Sequence, residues 1–451
     1  MNKKKPYSAI RVKDVQLAPI LAEHAGKDLW VGIDVAKEFL LVALCWGQGR
    51  FGRPWRVSNP GELGLLVERL KQLNCGRRLV VALEPTGTYG DPLRWALQQA
   101  QLQVHRVECK ASHDYAEIFD GAPSQHDAKD AMIVAELALQ GKSRPWSIRE
   151  GDERQSSMAV WVDQADDQQR VQAVWTGRLE GLLARHWPEA TGILDLTSMT
   201  LLRALAEYGC PANLAADAEA AAKLLQWSGA HLSAQKVEVL LQSAASTMGV
   251  PAAQAEAQRI RQCAEAALDA THALGKSKRE LEKLTEGNET LERIGRAVGK
   301  ATACVLFVKL GDPGDYSNPR AFVKAAGLNL KERSSGKYVG QLKISKRGPS
   351  MVRKWLYLAA VRLLKDDPGT RQWYERKRGR DLEQVGNGPA RKGIGVKALT
   401  SVMRKLLAAL WHVNRKKTTF VAARLFGGKA ASQSGGKAGG PGAAPVLCAE
   451  R

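Results

Sequence analysis

Two short apolar runs that each close on a carboxylate constrain this chain more than any other feature. Leu29–Asp34 reads LWVGID, and Leu79–Glu84 reads LVVALE and leads into Pro-Thr-Gly. Phe39–Cys45 is a further apolar run. Runs of this length, bounded by Gly and polar residues, have the pattern of buried strands. His126–Ala135 reads HDAKDAMIVA, where Asp127 and Asp130 stand three apart and so share one face of a helix. Strand ends and helix starts gather at one edge of an α/β sheet, which brings Asp34, Glu84, Asp127 and Asp130 toward one place. Four carboxylates held together repel one another, and a bound divalent cation offsets that repulsion. An all-oxygen donor set suits Mg2+, with Mn2+ as the alternative, rather than zinc. Two such ions can clamp the attacking and leaving oxygens of a phosphodiester. The plainer alternative makes each acid a surface residue at a strand end or helix cap; it suits any one of them better than all four in this order.

The surrounding pattern extends the α/β reading. Gly52–Val57 is a third strand, and Asn59-Pro60 opens a helix with Leu63, Leu65, Leu66 and Leu70 on one face. LVVALE follows, then a helix over Pro92–Gln101 and a strand over Val104–Glu108. The helix of Asp127 and Asp130 runs to about Gly141, and Pro145-Trp146 marks a boundary. Three strands, a helix, a strand, a helix, a strand and a closing helix is the ribonuclease-H-like order. Actin-like sugar kinases open in a similar way, but the chain's charge and its second carboxylate pair disfavour them.

At 451 residues the chain has room for two or three domains, and its net charge of +21 points to a polyanionic partner, nucleic acid first. No apolar run reaches the length of a membrane span and the polar start lacks a signal-peptide core, so a cytoplasmic, nucleoid-associated protein without membrane contact is expected. The seven scattered cysteines form no CxxC pair, which fits reduced thiols. Residues 1–27 are basic and polar with little periodicity and read as a flexible arm. Residues 147–291 are rich in Ala, Leu, Gln and Glu and read as long helices, a bundle or a coiled-coil arm. Positive charge concentrates in residues 292–425; from Lys331 to Arg380 there are fifteen Lys/Arg against four Asp/Glu. Trp355 belongs to an apolar helix, whereas Trp373 and Tyr374 stand between Arg371 and Arg376 and are candidates for stacking on bases. Residues 426–451 are Gly, Ala, Ser and Pro with few large apolar side chains and read as a disordered tail.

GIDVAK at Gly32–Lys37, LEPTG at Leu83–Gly87 and HDAKDA at His126–Ala131 resemble the Asp-Glu-Asp-Asp signature of a family of insertion-sequence transposases with a RuvC-like nuclease domain, the RNA-guided bridge recombinases. The separations of 50, 43 and 3 residues suit that domain. The resemblance resumes at Arg293–Leu310, similar to the start of a helix-hairpin-helix whose turn reads Gly-Arg-Ala-Val-Gly here. It continues at FVKAAGL (Phe322–Leu328) and LKERSSGKYVGQLKISKRG (Leu330–Gly348). It implies a RuvC-like domain over residues 28–146 with Asp34, Glu84, Asp127 and Asp130 as catalytic metal ligands, and a mostly helical serine transposase domain over residues 292–425. In relatives a serine of the C-terminal loop joins covalently to DNA. The Ser334-Ser335 pair stands there; Ser334, ten positions before Ile344, is the first choice and Ser335 the second. A serine hydroxyl needs activation and nearby cations. Arg333, Lys337, Lys346 and Arg347 stand around the pair, and Arg371, Arg376, Lys377 and Arg378 are further candidates for phosphate contact. The resemblance also implies donor and target DNA, a structured guide RNA from the element, and a homo-oligomer, dimer or tetramer. A RuvC-like junction nuclease using water, and a nucleic-acid-binding protein with a decayed site, are the alternatives.

Overall fold

The structure is a computed structural model that describes residues 7–85, 87–121, 126–148, 153–332, 342–385 and 393–426. The chain divides into two compact units, residues 1–151 and 152–451.

The first unit is built on one mixed sheet. Its strands are β1 (Ile10–Arg11), β2 (Leu29–Val35), β3 (Phe39–Gly47), β4 (Arg50–Phe51), β5 (Trp55–Ser58), β6 (Leu79–Leu83), β7 (Gln103–Val107) and β8 (Ser143–Pro145). They lie in the order β1-β5-β3-β2-β6-β7-β8, with β4 paired to β3. β2, β3 and β5 form an antiparallel meander, while β6 pairs parallel to β2 and β7 parallel to β6. This arrangement fits a ribonuclease-H-like fold.

Side-chain alternation sorts the sheet into two faces. Leu29, Val31 and Ile33 of β2 and Leu79, Val81 and Leu83 of β6 enter one core, which also takes helices α1 (Leu17–Glu23), α2 (Leu63–Leu73) and α3 (Asp91–Gln99). Leu41, Ala43, Ala82 and Val107 face the other side, against α4 (Cys109–Asp120) and α5 (Asp127–Leu139). Gly32 lies on this second face. A Cβ there would overlap the Ala131 carbonyl oxygen and the Ala135 nitrogen, so α5 rides directly on the backbone of β2.

Two expectations change here. Residues 7–27 are not a loose arm: β1 pairs parallel with β5, and Val12, Val15 and Leu17 are buried in the first core. The signal was missed because a two-residue strand has no period of its own. Residues 109–120, to which no element was assigned, form α4, closed by Gly121 in the left-handed region.

Among its described residues the second unit is helical apart from a short antiparallel pair, β9 (Leu330–Lys331) and β10 (Lys343–Ile344). Its frame is α6 (Glu153–His186) laid antiparallel on α12 (Gln254–Thr285); Arg154 donates to the Leu284 carbonyl at one end, and His186 approaches Glu256 at the other. Between them run α7 to α11 (Ala190–Ile193, Met199–Tyr208, Pro211–Ala216, Ala220–Ser228 and Ala234–Ala245). After them come α13 (Glu289–Val298), α14 (Lys300–Leu310), α15 (Pro319–Ala325), α16 (Ser350–Asp366), α17 (Pro368–Val385), α18 (Ile394–Arg415) and α19 (Ala422–Phe426). One core joins Leu179 and Leu183 of α6 and Ile260 and Ala267 of α12 to the short helices. The other joins Met158, Val162 and Ala165 of α6 and Leu274 and Leu281 of α12 to α13–α18. The helical middle and the basic C-terminal region are therefore one unit, because α6 and α12 each contribute to both cores. α13 and α14 form a hairpin about Gly299, whose φ of 86° favours glycine. Among the described residues no helix is long and apolar enough to cross a membrane.

Candidate active site

β2 and β6 are in register through Ile33 opposite Leu83, so the next residues, Asp34 and Glu84, stand side by side where the two parallel strands end. Counting in twos from Gly32 and Ala82 puts both acids on the face that α5 covers. The missing side chain at Gly32 lets α5 approach closely enough for its first turn to reach them. That turn starts with His126 as N-cap, its Nδ1 accepting from the Ala128 N–H at 3.1 Å. Asp127 is exposed and Asp130 half-buried. Lys129, between them in sequence, is fully buried and pairs with Asp120 at 2.6 Å, an acid that also accepts from the Tyr7 hydroxyl at 2.7 Å.

Asp34 and Asp130 both feel the other acids of this sheet edge. Burial, followed by the charges of Asp130, Asp127 and Glu84, pushes the Asp34 carboxyl up to about 7, against the opposing pull of the Val35 N–H. Asp130 is raised by burial, then by Glu84 and Asp127, although Lys129 and His126 act the other way. A carboxylate in the first turn of a helix ordinarily gains from the helix dipole; here desolvation and like charge outweigh that gain. Among the described residues no three His, Cys, Asp or Glu side chains close around one point as metal ligands do. The donor set nonetheless fits a hard divalent cation: oxygen only, half-buried, and carrying repulsion that a cation would relieve.

Sequence reasoning missed Ser112. It lies in α4, is 5% exposed, and its hydroxyl donates a hydrogen bond to Glu84 Oε1. The Cys109 thiol lies beside the same carboxylate and is raised by burial and by Glu84. A sequence signal for α4 did exist: Ala111, Tyr115 and Phe119 recur every four residues and pack on the α5 side of the sheet.

In the second unit the positive charge gathers around an open cleft of about 1980 Å³. Lys331 and Lys343 come to it from β9 and β10, Lys377 and Arg380 from α17, and Lys397 and Lys405 from α18, with Lys416 just beyond. Asp381 on its wall is buried and paired with Lys377 at 2.8 Å. Of the cations singled out from sequence, Lys346 and Lys377 line the cleft. Arg347, Arg371, Arg376 and Arg378 are exposed and do not line it. Arg371 donates to the carbonyls of Leu364 and Lys365, and Arg378 pairs with Glu375 at 3.4 Å. Arg333, Ser334, Ser335 and Lys337 lie outside the described residues; the flanking β9 and β10 both contribute to the cleft. Trp355 is buried and donates to Asp166 at 3.2 Å. Trp373, a candidate for base stacking, is half-buried, its ring 5.5 Å from that of Phe426 at 62° and with Lys405 over it.

Two stretches of the chain match known transposase domains. Residues 31–188 match the transposase model for the DEDD domain of the IS110 type. Residues 288–375 match the model of the transposase IS116/IS110/IS902 family. The first stretch contains all four acids, and the second contains α13 to α16, β9, β10 and the Ser334-Ser335 pair. The chain is also 23% identical over 313 residues to the "Insertion element IS110 uncharacterized 43.6 kDa protein" of Streptomyces coelicolor (strain ATCC BAA-471 / A3(2) / M145). That alignment covers 68% of this chain and 76% of the relative.

Proposed function

We propose that this chain, an IS110-family transposase by its two matched domains, cuts and rejoins DNA through a metal-dependent carboxylate site and a serine nucleophile, with a structured RNA choosing the sites. The observation that carries the first part is geometric: Asp34 and Glu84 stand next to each other on paired strands, and the close seat of α5 on Gly32 brings the turn bearing Asp127 and Asp130 to the same face. These four side chains would hold Mg2+ or Mn2+. When bound, the cation would polarise phosphate oxygens and offset developing negative charge. The chain's own part is to keep the acids on one sheet edge, with Asp34 and Asp130 partly shielded from water so that they favour a charged partner.

The serine step and the guide RNA are supported by the resemblance at Leu330–Gly348. In that step the serine Oγ–P bond forms as one P–O bond of the DNA backbone breaks. The hydroxyl proton lost by serine is gained by the freed strand end, and a hydroxyl attack in reverse restores the backbone. Incubation with RNA, Mg2+ and labelled DNA, followed by denaturation, is expected to leave label on the protein. Ser334→Ala should remove that band with nucleic-acid binding intact. Loss in Ser335→Ala instead would move the role by one residue. Cleavage that survives in both single variants and in the double variant would leave water as nucleophile, the RuvC-like reading.

The cleft of the second unit supports phosphate binding by charge. Replacing Lys343, Lys397 and Lys416 with Gln should flatten the salt dependence of duplex DNA binding, by about 0.9 in log–log slope for each phosphate no longer neutralised. The same replacement at Arg347, Arg376 and Arg378 should change the slope less. An equal or larger effect from this second set would place the nucleic acid outside the cleft.

A further inference from the structure

We propose that Ser112 is a positioning residue for Glu84, fixing which way that carboxylate faces and so how tightly the four acids hold a divalent cation. The inference rests on the metal reading above and goes beyond it, to a helix that carries none of the four acids.

Glu84 is the only glutamate of the four and so has the longest side chain. It lies just past the last paired residue of β6, where the strand no longer limits its direction. Freezing such a side chain opposes binding through lost rotamer entropy. α4 removes that freedom in advance. Its first residue is Cys109, and Ser112 stands one turn on, with its hydroxyl between two acceptors: Glu84 Oε1, and the Cys109 carbonyl at 3.1 Å. The hydroxyl has one proton. The ionised carboxylate is the stronger acceptor, so the proton goes to Glu84. Ser112 is 5% exposed, so little water reaches it to compete for that bond. With Oε1 held by Ser112 and the Cys109 thiol beside the same carboxylate, Glu84 is fixed from the α4 side while its charge still reaches Asp34 and Asp130. The start of α4 adds a fixed positive partial charge on the same side. α4 itself is held by Ala111, Tyr115 and Phe119 against the core that also seats α5, so the support and the acid pair of α5 share one foundation.

The test uses the full chain without nucleic acid and Mn2+ as the probe, with binding followed by electron paramagnetic resonance. Ser112→Ala is expected to weaken Mn2+ binding about tenfold, the lower end of what loss of an outer-shell partner does. Ser112→Thr, which keeps the hydroxyl, should restore most of the affinity. In a cleavage assay the Mg2+ concentration for half-maximal rate should rise for Ser112→Ala, with most of the rate recovered at saturating Mg2+. Thermal unfolding of both variants separates this from general damage: the Ala and Thr variants should melt close together while their affinities differ. Wild-type affinity in Ser112→Ala, or equal weakening in both variants, would overturn the positioning role while leaving the metal site standing. If the wild-type chain itself binds no Mn2+ that Asp34→Asn removes, the metal reading fails, and this inference fails with it.

Discussion

Asp34→Asn is expected to abolish strand cleavage and yet to make the metal-free protein more resistant to heat at neutral pH. The side chain gives up a negative charge that the fold holds at a loss. Asp34 has a carboxyl pushed up to about 7 in the folded chain, against 3.8 as its ordinary value. Below pH 4 the acid is protonated folded and unfolded, and wild type and variant should differ little. Between pH 4 and 7 the folded state binds the proton more tightly than the unfolded one, so wild-type stability falls as pH rises. Above 7 the acid is charged in both states and the deficit is complete, on the order of a few kcal/mol. Differential scanning calorimetry in EDTA should therefore show the melting temperature of Asp34→Asn above wild type at pH 8, with the gap closing toward pH 4. Added Mg2+ should raise wild type and leave the variant nearly unmoved. A variant that melts below wild type in EDTA at pH 8 would mean that Asp34 is not crowded by like charge. Retained cleavage would remove it from the site.

Gly32→Ala should be the most damaging single methyl in the first unit. The added carbon would meet backbone, the Ala131 carbonyl oxygen and the Ala135 nitrogen, so no side-chain rotation can relieve the overlap. α5 would have to lift from β2, which moves Asp127 and Asp130 away from Asp34 and Glu84 and opens the packing around Ala128 and Ala131. Overpacking of this kind costs about 3 kcal/mol or more. Urea unfolding should show the loss, limited proteolysis should cut first within residues 7–148, and Mn2+ affinity should fall with stability. By contrast, Gly64→Ala, at a position in α2 where a Cβ meets nothing, should be neutral or slightly stabilising. Equal stability of Gly32→Ala and wild type would refute the close approach of α5.

What sequence showed of this molecule follows from what repeats locally. β2, β3 and β6 are short continuous apolar runs, and acids stand at or near the ends of β2 and β6 and in the first turn of α5, so the sheet edge could be read before the structure. The support from α4 could not, because a serine in a charged helix has no pattern that points to a glutamate twenty-eight residues earlier. The cleft was missed for a similar reason. Charge counted along the chain singles out the dense stretch before Arg380, whereas the cleft draws Lys397 and Lys405 from α18, Lys416 from just past its end, and Lys331 and Lys343 from a distant strand pair. The arm was misread because β1 is held by β5, a partner some forty-five residues away.

The sharing of α6 and α12 between two cores restricts how this chain can change length over time. α6 has 34 residues and rises about 51 Å, and it seats Ala165 in one core and Leu183 in the other. One residue inserted between them would turn the far half of the helix by about 100° and carry Leu179 and Leu183 out of their core. α12 returns alongside and would fall out of step as well. Additions of about seven or eleven residues, close to two or three whole turns and made in both helices together, keep both sets of apolar side chains facing inward. The spacing between the two cores is thus quantised, and lengthening or shortening it keeps both cores only in near-whole-turn steps matched between the two helices.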